Sequence, residues 1–188
     1  MTEFEQLPRQ PSSLEADTMD ALEAIHTRRS IRKYQDRPVP EELLHRLLAA
    51  AMHAPSARNA QPWQFVLIDD RELLAEIPRI NPNAQMAGRA PAAILVCGDL
   101  SLEKSPGYWV VDCAAAAQNL LLAAHALGLG AVWTGVYPRE QRIEGLRRLL
   151  ALPENVVPHS LIVLGYPAEQ PASRDRYRPD RVHPNRWK

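Results

Sequence analysis

Four cations and a serine hydroxyl are packed into Thr27-Arg28-Arg29-Ser30-Ile31-Arg32-Lys33-Tyr34. Arginine forks beside a hydroxyl can hold a phosphate through bidentate, charge-assisted bonds. The competing reading is that cations simply suit the negative end of a helix dipole. A second segment, Ala54-Pro55-Ser56-Ala57-Arg58-Asn59-Ala60-Gln61-Pro62-Trp63, sets neutral hydrogen-bonding side chains on a loop stiffened by two prolines and closed by a large aromatic. Ser, Asn and Gln suit a planar heterocycle rich in carbonyls and ring nitrogens; otherwise the segment is a connecting loop built from turn residues.

Other chemistries lack their signatures. Gly128-Leu129-Gly130 with Gly135 imitates a dinucleotide fingerprint, but the third glycine comes too late. The run also leaves a helix and enters a strand, the reverse of the order that aims amides at a pyrophosphate. A helix stop accounts for it. No P-loop, H-E-x-x-H or G-x-S-x-G occurs. Cys97 and Cys113 sit in apolar runs without ligand spacing, so neither a metal site nor a disulfide framework is expected. His26, His45 and His53 read as surface or capping groups, and His125 as a satisfied polar group within a helix. No acid–base pair stands out, so no catalytic side chain is assigned.

The elements that must position these residues follow from pattern and punctuation. Asp17-Thr18 is expected to cap a helix over 19–27. Pro40-Glu41-Glu42 starts a second helix, with Leu43, Leu44, Leu47, Leu48 and Ala51 at helical spacing and His53 to Ser56 ending it. Trp63 to Ile68 is a short strand, followed by a helix over 71–77. Ala92 to Cys97 reads as a buried strand. A long apolar helix covers about 108–127, a strand runs from Ala131 to Tyr137, and Pro138 opens a helix through Leu150. His159 to Leu164 is a last core strand before an Arg- and Pro-rich tail. The strands are too few and too irregularly spaced for a doubly wound parallel sheet. The fold class expected is α+β, a small, mainly antiparallel sheet packed by helices, one of them long and central.

The 188 residues suggest one domain over 18–188 behind an extension, residues 1–17, read as mobile. That extension lacks a basic start and an apolar run, so no secretory signal is seen and a cytoplasmic location is expected. The apolar stretch 113–133 resembles a membrane span but carries Gln118, Asn119 and His125, and is read as a helix buried in a core or subunit interface. With 22 basic and 22 acidic side chains the balance is neutral, which argues against coating nucleic acid. The balance averages over opposites. Residues 1–26 hold six acids and one Arg, 27–37 hold five cations and one acid, and 171–188 hold six cations and two acids. Two basic clusters thus lie at opposite ends of the chain. Only 8 glycines against 17 prolines fit a phosphate site made from side chains rather than a glycine loop.

R-R-S-x-R (Arg28 to Arg32), then A-P-S-x-x-N-x-Q-P-W (Ala54 to Trp63), resembles the nitroreductase family of FMN oxidoreductases. The likeness continues through A-x-x-L-G-L-G (Ala124 to Gly130), Val132-Trp133-Thr134-Gly135 and L-I-V-L-G-Y-P (Leu161 to Pro167), covering about residues 19–188. The resemblance implies an α+β homodimer with FMN at each subunit interface and long central helices packed across the dimer. By motif, Arg28, Ser30 and Arg32, with Arg29 alongside, would hold the phosphate and ribityl chain. Arg176 and Arg178 in the tail would complete the phosphate site. Pro55, Ser56, Ala57 and Asn59 would line the isoalloxazine ring from the partner subunit. Trp133, Thr134 and Gly135 would face it from the other side, with a backbone amide near Gly135 donating toward the flavin N5 region.

The chain lacks the long excursion that larger members insert before the central helix. Tyr108 and Trp109 are therefore candidates to cover the flavin, with ordinary packing as the alternative. The activity implied is hydride transfer from NADH or NADPH through FMN to an electron-poor acceptor such as a nitroaromatic or a quinone. The hard chemistry would be the cofactor's, with no metal, no membrane and no nucleic acid involved. The alternatives are a flavin-binding or storage module without turnover, a flavin-dependent dehydrogenase working oxidatively, or, from the basic segments alone, a nucleic-acid-binding protein.

Overall fold

The computed structural model describes residues 19–187, so the expected extension 1–17 and the Asp17-Thr18 cap lie outside the described residues. Helix α1 (Ala21–Thr27) is capped by Asp20, whose carboxylate accepts from the Leu22 and Glu23 amides at 2.8 and 3.0 Å. It stops at Arg28, where the backbone turns extended. Helix α2 (Glu41–Met52) begins behind Pro40 and carries two acids in its first turn. Strand β1 (Trp63–Ile68) falls where the β-rich run places it. Helix α3 (Arg71–Ile80) runs past the expected end at 77 and through Pro78. The missing amide forfeits one helical bond, but Asn81 N still donates to the Ile77 carbonyl at 2.8 Å. Burial of Leu74 and Ile77 offsets the loss.

Strand β2 (Ala92–Asp99) precedes the long helix α4 (Trp109–Ala126). Strand β3 (Gly130–Gly135) is shorter than expected, because Val136 to Arg139 form a turn in which Arg139 N donates to the Val136 carbonyl. Helix α5 (Glu140–Leu149) therefore starts two residues after Pro138. Strand β4 (Val156–Gly165) is longer than expected. The four strands form one antiparallel sheet in the order β1-β2-β4-β3. Between β2 and β4 the register slips: Val96 faces Ser160 but Cys97 faces Pro158, leaving His159 as the extra residue of a bulge. A bulge is also where a central strand tolerates proline.

Period-two alternation makes the sheet the middle layer. Ile94, Val96, Ile162 and Leu164 pack toward α2 and α4, whereas Ala93, Leu95, Cys97, Leu161 and Val163 pack toward α3 and α5. Within one chain α4 buries only one side, through Cys113, Ala116, Ala117, Leu120, Leu121 and Ala124. Val111 on its other side is 63% exposed, so burial nearly all round is not reached within a single chain. No helix among the described residues is long and apolar enough to cross a membrane.

The tail does not wander. Gln35 N donates to the Tyr166 carbonyl and Ala168 N to the Lys33 carbonyl, both at 2.9 Å. Glu169 accepts from the Arg32 and Lys33 amides at 2.6 and 3.1 Å. Residues 166–169, where the tail begins, are thus laid alongside residues 30–35.

Candidate functional site

That docking brings the two basic clusters together. Arg28, Arg29, Arg174 and Arg176 line one cleft of about 650 Å³, together with Ile25, His26, Ser173, Asp175 and Tyr177. Arg28 is half-buried, and its guanidinium is held below its ordinary pKa first by burial, then by the charge of Arg176, then by that of Arg29. Among the described residues the ion pairs form elsewhere, at His45–Glu41, Arg79–Glu76, Arg147–Glu144 and Arg178–Asp180. Arg28 and Arg176 thus lie near enough to repel each other and neither is in an ion pair. Asp175, the one carboxylate among the described residues lining the cleft, accepts from the Tyr177 amide at 2.9 Å, so the cleft keeps the net positive charge that an anion site needs.

The candidate cations part company here. Arg29 spends its fork on the chain itself, donating to the carbonyls of His26, Arg28 and Ala172 and to the Ser173 hydroxyl. It holds the tail in place rather than facing the cleft with free donors. Arg178 is clasped bidentately by Asp180, both bonds at 3.0 Å, and does not line the cleft. Arg32 lines a separate cavity with Lys33, Tyr34, Gln85, Met86 and Arg89. Of the tail pair, Arg176 is the one brought to Arg28.

From this cleft an open sheet edge leads away. Ser30 bridges Ala131, and Ile31 N donates to the Ala131 carbonyl at 3.0 Å, so the cationic motif covers the start of the outer edge of β3. In an antiparallel ladder alternate residues bond the neighbouring strand. Val136 N bonds the His159 carbonyl, and Gly135 lies opposite Ser160 in the alternate, non-bonded position. The backbone groups of Ala131, Trp133 and Gly135 therefore point off the sheet. Beyond the bond to Ile31, the Trp133 and Gly135 amides are left facing outward, Gly135 roughly 13 Å from Ala131 at the rise of a strand. Thr134 faces the other way; it is buried and its hydroxyl donates to the Leu161 carbonyl at 3.0 Å. A cationic pocket at one end of a strip and free amides at the other suit a long ligand with a phosphate head and a polar ring.

The loop from Pro55 to Asn59 sits elsewhere. Arg58, Asn59 and Gln61 all have positive φ (53°, 52° and 49°), a strained run for residues that are not glycine. It is pinned by the Ser56 hydroxyl accepting from Gln61 N at 3.0 Å and by the Ala57 amide donating to buried Asp112 at 2.9 Å. Lys104 adds a bond to the Asn59 carbonyl. Asp112 lies in the first turn of α4, whereas Thr27, next to Arg28, bonds His125 in the last at 2.7 Å. Thirteen helical residues separate these anchors by roughly 20 Å, so one chain does not bring the loop to its own Arg28 cleft.

Tyr108 is 55% exposed, but Trp109 is only 7% exposed. The Trp109 ring meets Tyr137 edge-on and fills the space beside Gly98, where a Cβ would approach it to 2.3 Å. Core packing, the alternative offered for Trp109, is what its burial supports.

Pattern reading passed over other polar groups. His159, the bulged residue, is buried with its ring edge-on to Trp133 and Trp109, and burial lowers its pKa to about 4. Its signal was a lone histidine in an apolar strand beside a proline. Asn81 is fully buried, and Arg142 reaches out of α5; both bond the Gly135 carbonyl. Nothing in their local spacing announces that.

A model of the Nitroreductase family matches residues 25–84 and 78–166. A protein of Methanothermobacter thermautotrophicus named "Putative NADH dehydrogenase/NAD(P)H nitroreductase" is 61% identical over 90% of this chain and 88% of its own. An "FMN reductase [NAD(P)H]" of Bacillus subtilis is 30% identical over 84% of this chain and 70% of its own. Among solved structures, an "FMN-dependent Nitroreductase" from Clostridium difficile R20291 superposes with a TM-score of 0.81 at 30% identity, covering 87% of this chain and 98% of that one.

Proposed function

This chain belongs to the nitroreductase family, and on that premise we propose that it is an FMN-dependent oxidoreductase fed by NADH or NADPH. The observation that carries the reading is the Arg28–Arg176 pair, neither of them in an ion pair among the described residues, at one end of an open strand edge whose other end offers the Gly135 amide. Arg28 and Arg176 hold the FMN phosphate, Ser30 lies beside the ribityl chain, and the outward amides of Trp133 and Gly135 meet the ring, whereas Arg32 faces its separate cavity and takes no part. FMN, when bound, supplies a ring that takes up hydride and passes it on. The protein's part is to bind, orient and shield.

No side chain is asked to move a proton. His159, the titratable group packed behind Trp133, is kept neutral by burial and enclosed by aromatic rings. Overall, NAD(P)H, a proton and a quinone give NAD(P)+ and a hydroquinone. The exposed side of α4, including Val111, packs on a second copy of the chain. That pairing lets the partner's Pro55–Asn59 loop complete a ring site that its own chain does not reach. Tyr108, exposed at the start of α4, lies at the acceptor's entrance.

The test separates the two half-reactions. Under nitrogen, one equivalent of NADH or NADPH should bleach the bound flavin, and a quinone or nitroaromatic should then restore its colour. Flavin that is bound but never bleached would mean a binding module. Flavin reduced only by an organic substrate would mean the oxidative direction.

A further inference from the structure

Gly135 ends β3 with its carbonyl and amide both pointing off the sheet, and it has no side chain to hold it. Glycine left in that position samples a wide range of φ and ψ. Here the carbonyl is held from two directions. Asn81 Nδ2 donates to it at 3.3 Å and Arg142 Nη1 at 2.7 Å, the second short enough for a charge-assisted bond. A carbonyl has two lone pairs, so both donors can be accepted at once.

The two braces are themselves fixed. Asn81 is fully buried, and its other side-chain atom accepts from Asn83 N at 3.1 Å, capping the 3-10 turn Pro82–Arg89. Arg142 projects from the first turn of α5, whose body packs on the sheet through Ile143 and Leu146. Three separate elements thus converge on one peptide at the edge of the site. A buried asparagine needs one partner per polar atom, and here the free donor of the pair is spent on Gly135 rather than on its own turn.

We propose that Asn81 and Arg142 are positioning residues: by holding the Gly135 carbonyl they fix the Gly135–Val136 peptide and the ψ of Gly135, and so keep in place the Gly135 Cα and the neighbouring amide that meets the flavin ring. The proposal rests on the function given above, in which that amide meets the ring. Neither side chain touches the phosphate cleft, so their effect separates from that of Arg28 and Arg176.

The experiment compares Arg142→Ala, Arg142→Lys and Asn81→Ser with the wild type. In flavin-free protein, exchange of the Val136 amide, which shares the braced peptide, should accelerate roughly tenfold in Arg142→Ala, the weight of one such bond. In flavin-loaded protein the rate of flavin reduction by NADH should fall by a similar factor, with a shifted long-wavelength flavin band. The FMN dissociation constant should stay within about twofold, as for independent sites. Arg142→Lys, which keeps a cationic donor, should recover part of the rate and of the protection. Unchanged Val136 exchange and unchanged flavin reduction in both Arg142→Ala and Asn81→Ser would overturn the proposal. A wild type that takes up no flavin would instead overturn the function above, and Val136 exchange would still report whether the brace exists.

Discussion

Arg28→Ala is expected to purify as a folded, colourless protein. The Arg28 side chain makes no hydrogen bond to the chain among the described residues; only its backbone amide and carbonyl are engaged. Removing the guanidinium also removes its repulsion of Arg176 and Arg29. Thermal unfolding should therefore stay at or slightly above the wild-type temperature. The phosphate, by contrast, loses a charge-assisted bond worth about 1.5–3 kcal/mol, or roughly 10- to 150-fold in FMN affinity. Arg29→Ala should behave differently. Its fork ties Ala172 and Ser173 to the helix end, so its loss frees the tail and lowers stability along with affinity. Flavin retained by Arg28→Ala at wild-type affinity would remove Arg28 from the phosphate site.

Acid should weaken the fold through His159. Burial lowers its pKa to about 4, against about 6.5 in an unfolded chain. Between those values the unfolded state binds the proton and the folded state does not, so stability is complete above pH 6.5 and falls as pH drops. At about 1.4 kcal/mol per unit, the loss is about 2 kcal/mol by pH 5 and about 3 kcal/mol by pH 4. Urea unfolding of wild type and His159→Gln at pH 7 and pH 5 measures it. The variant should lack this part of the slope, while His125, also lowered by burial, contributes equally to both proteins. Equal slopes would show that the ring is not held neutral.

The layers were legible because sheet alternation and helix spacing are local. Trp63–Ile68 and the α4 helix fall where their patterns put them. The misplaced boundaries have physical causes outside any window: Pro78 is carried by packing, and β4 is lengthened by a bulge at His159 that only β2 defines. The site was half legible. Arg28 and Ser30 announce themselves as a cluster, whereas the tail arginines were tied to the phosphate by the family resemblance. Which tail arginine reaches Arg28 was not readable, because it depends on Asp180 neutralising Arg178. Nor was the bracing of Gly135, since Asn81 and Arg142 meet it only after three elements have packed.

On the function proposed above, two basic segments from opposite ends of the chain recognise one phosphate. Titrating flavin-free protein with FMN and with riboflavin, which differ only in that phosphate, tests it most directly. With Arg28 and Arg176 both engaged, FMN should bind at least about a hundredfold more tightly than riboflavin. Riboflavin binding as tightly as FMN would mean that Arg28 and Arg176 do not hold the phosphate.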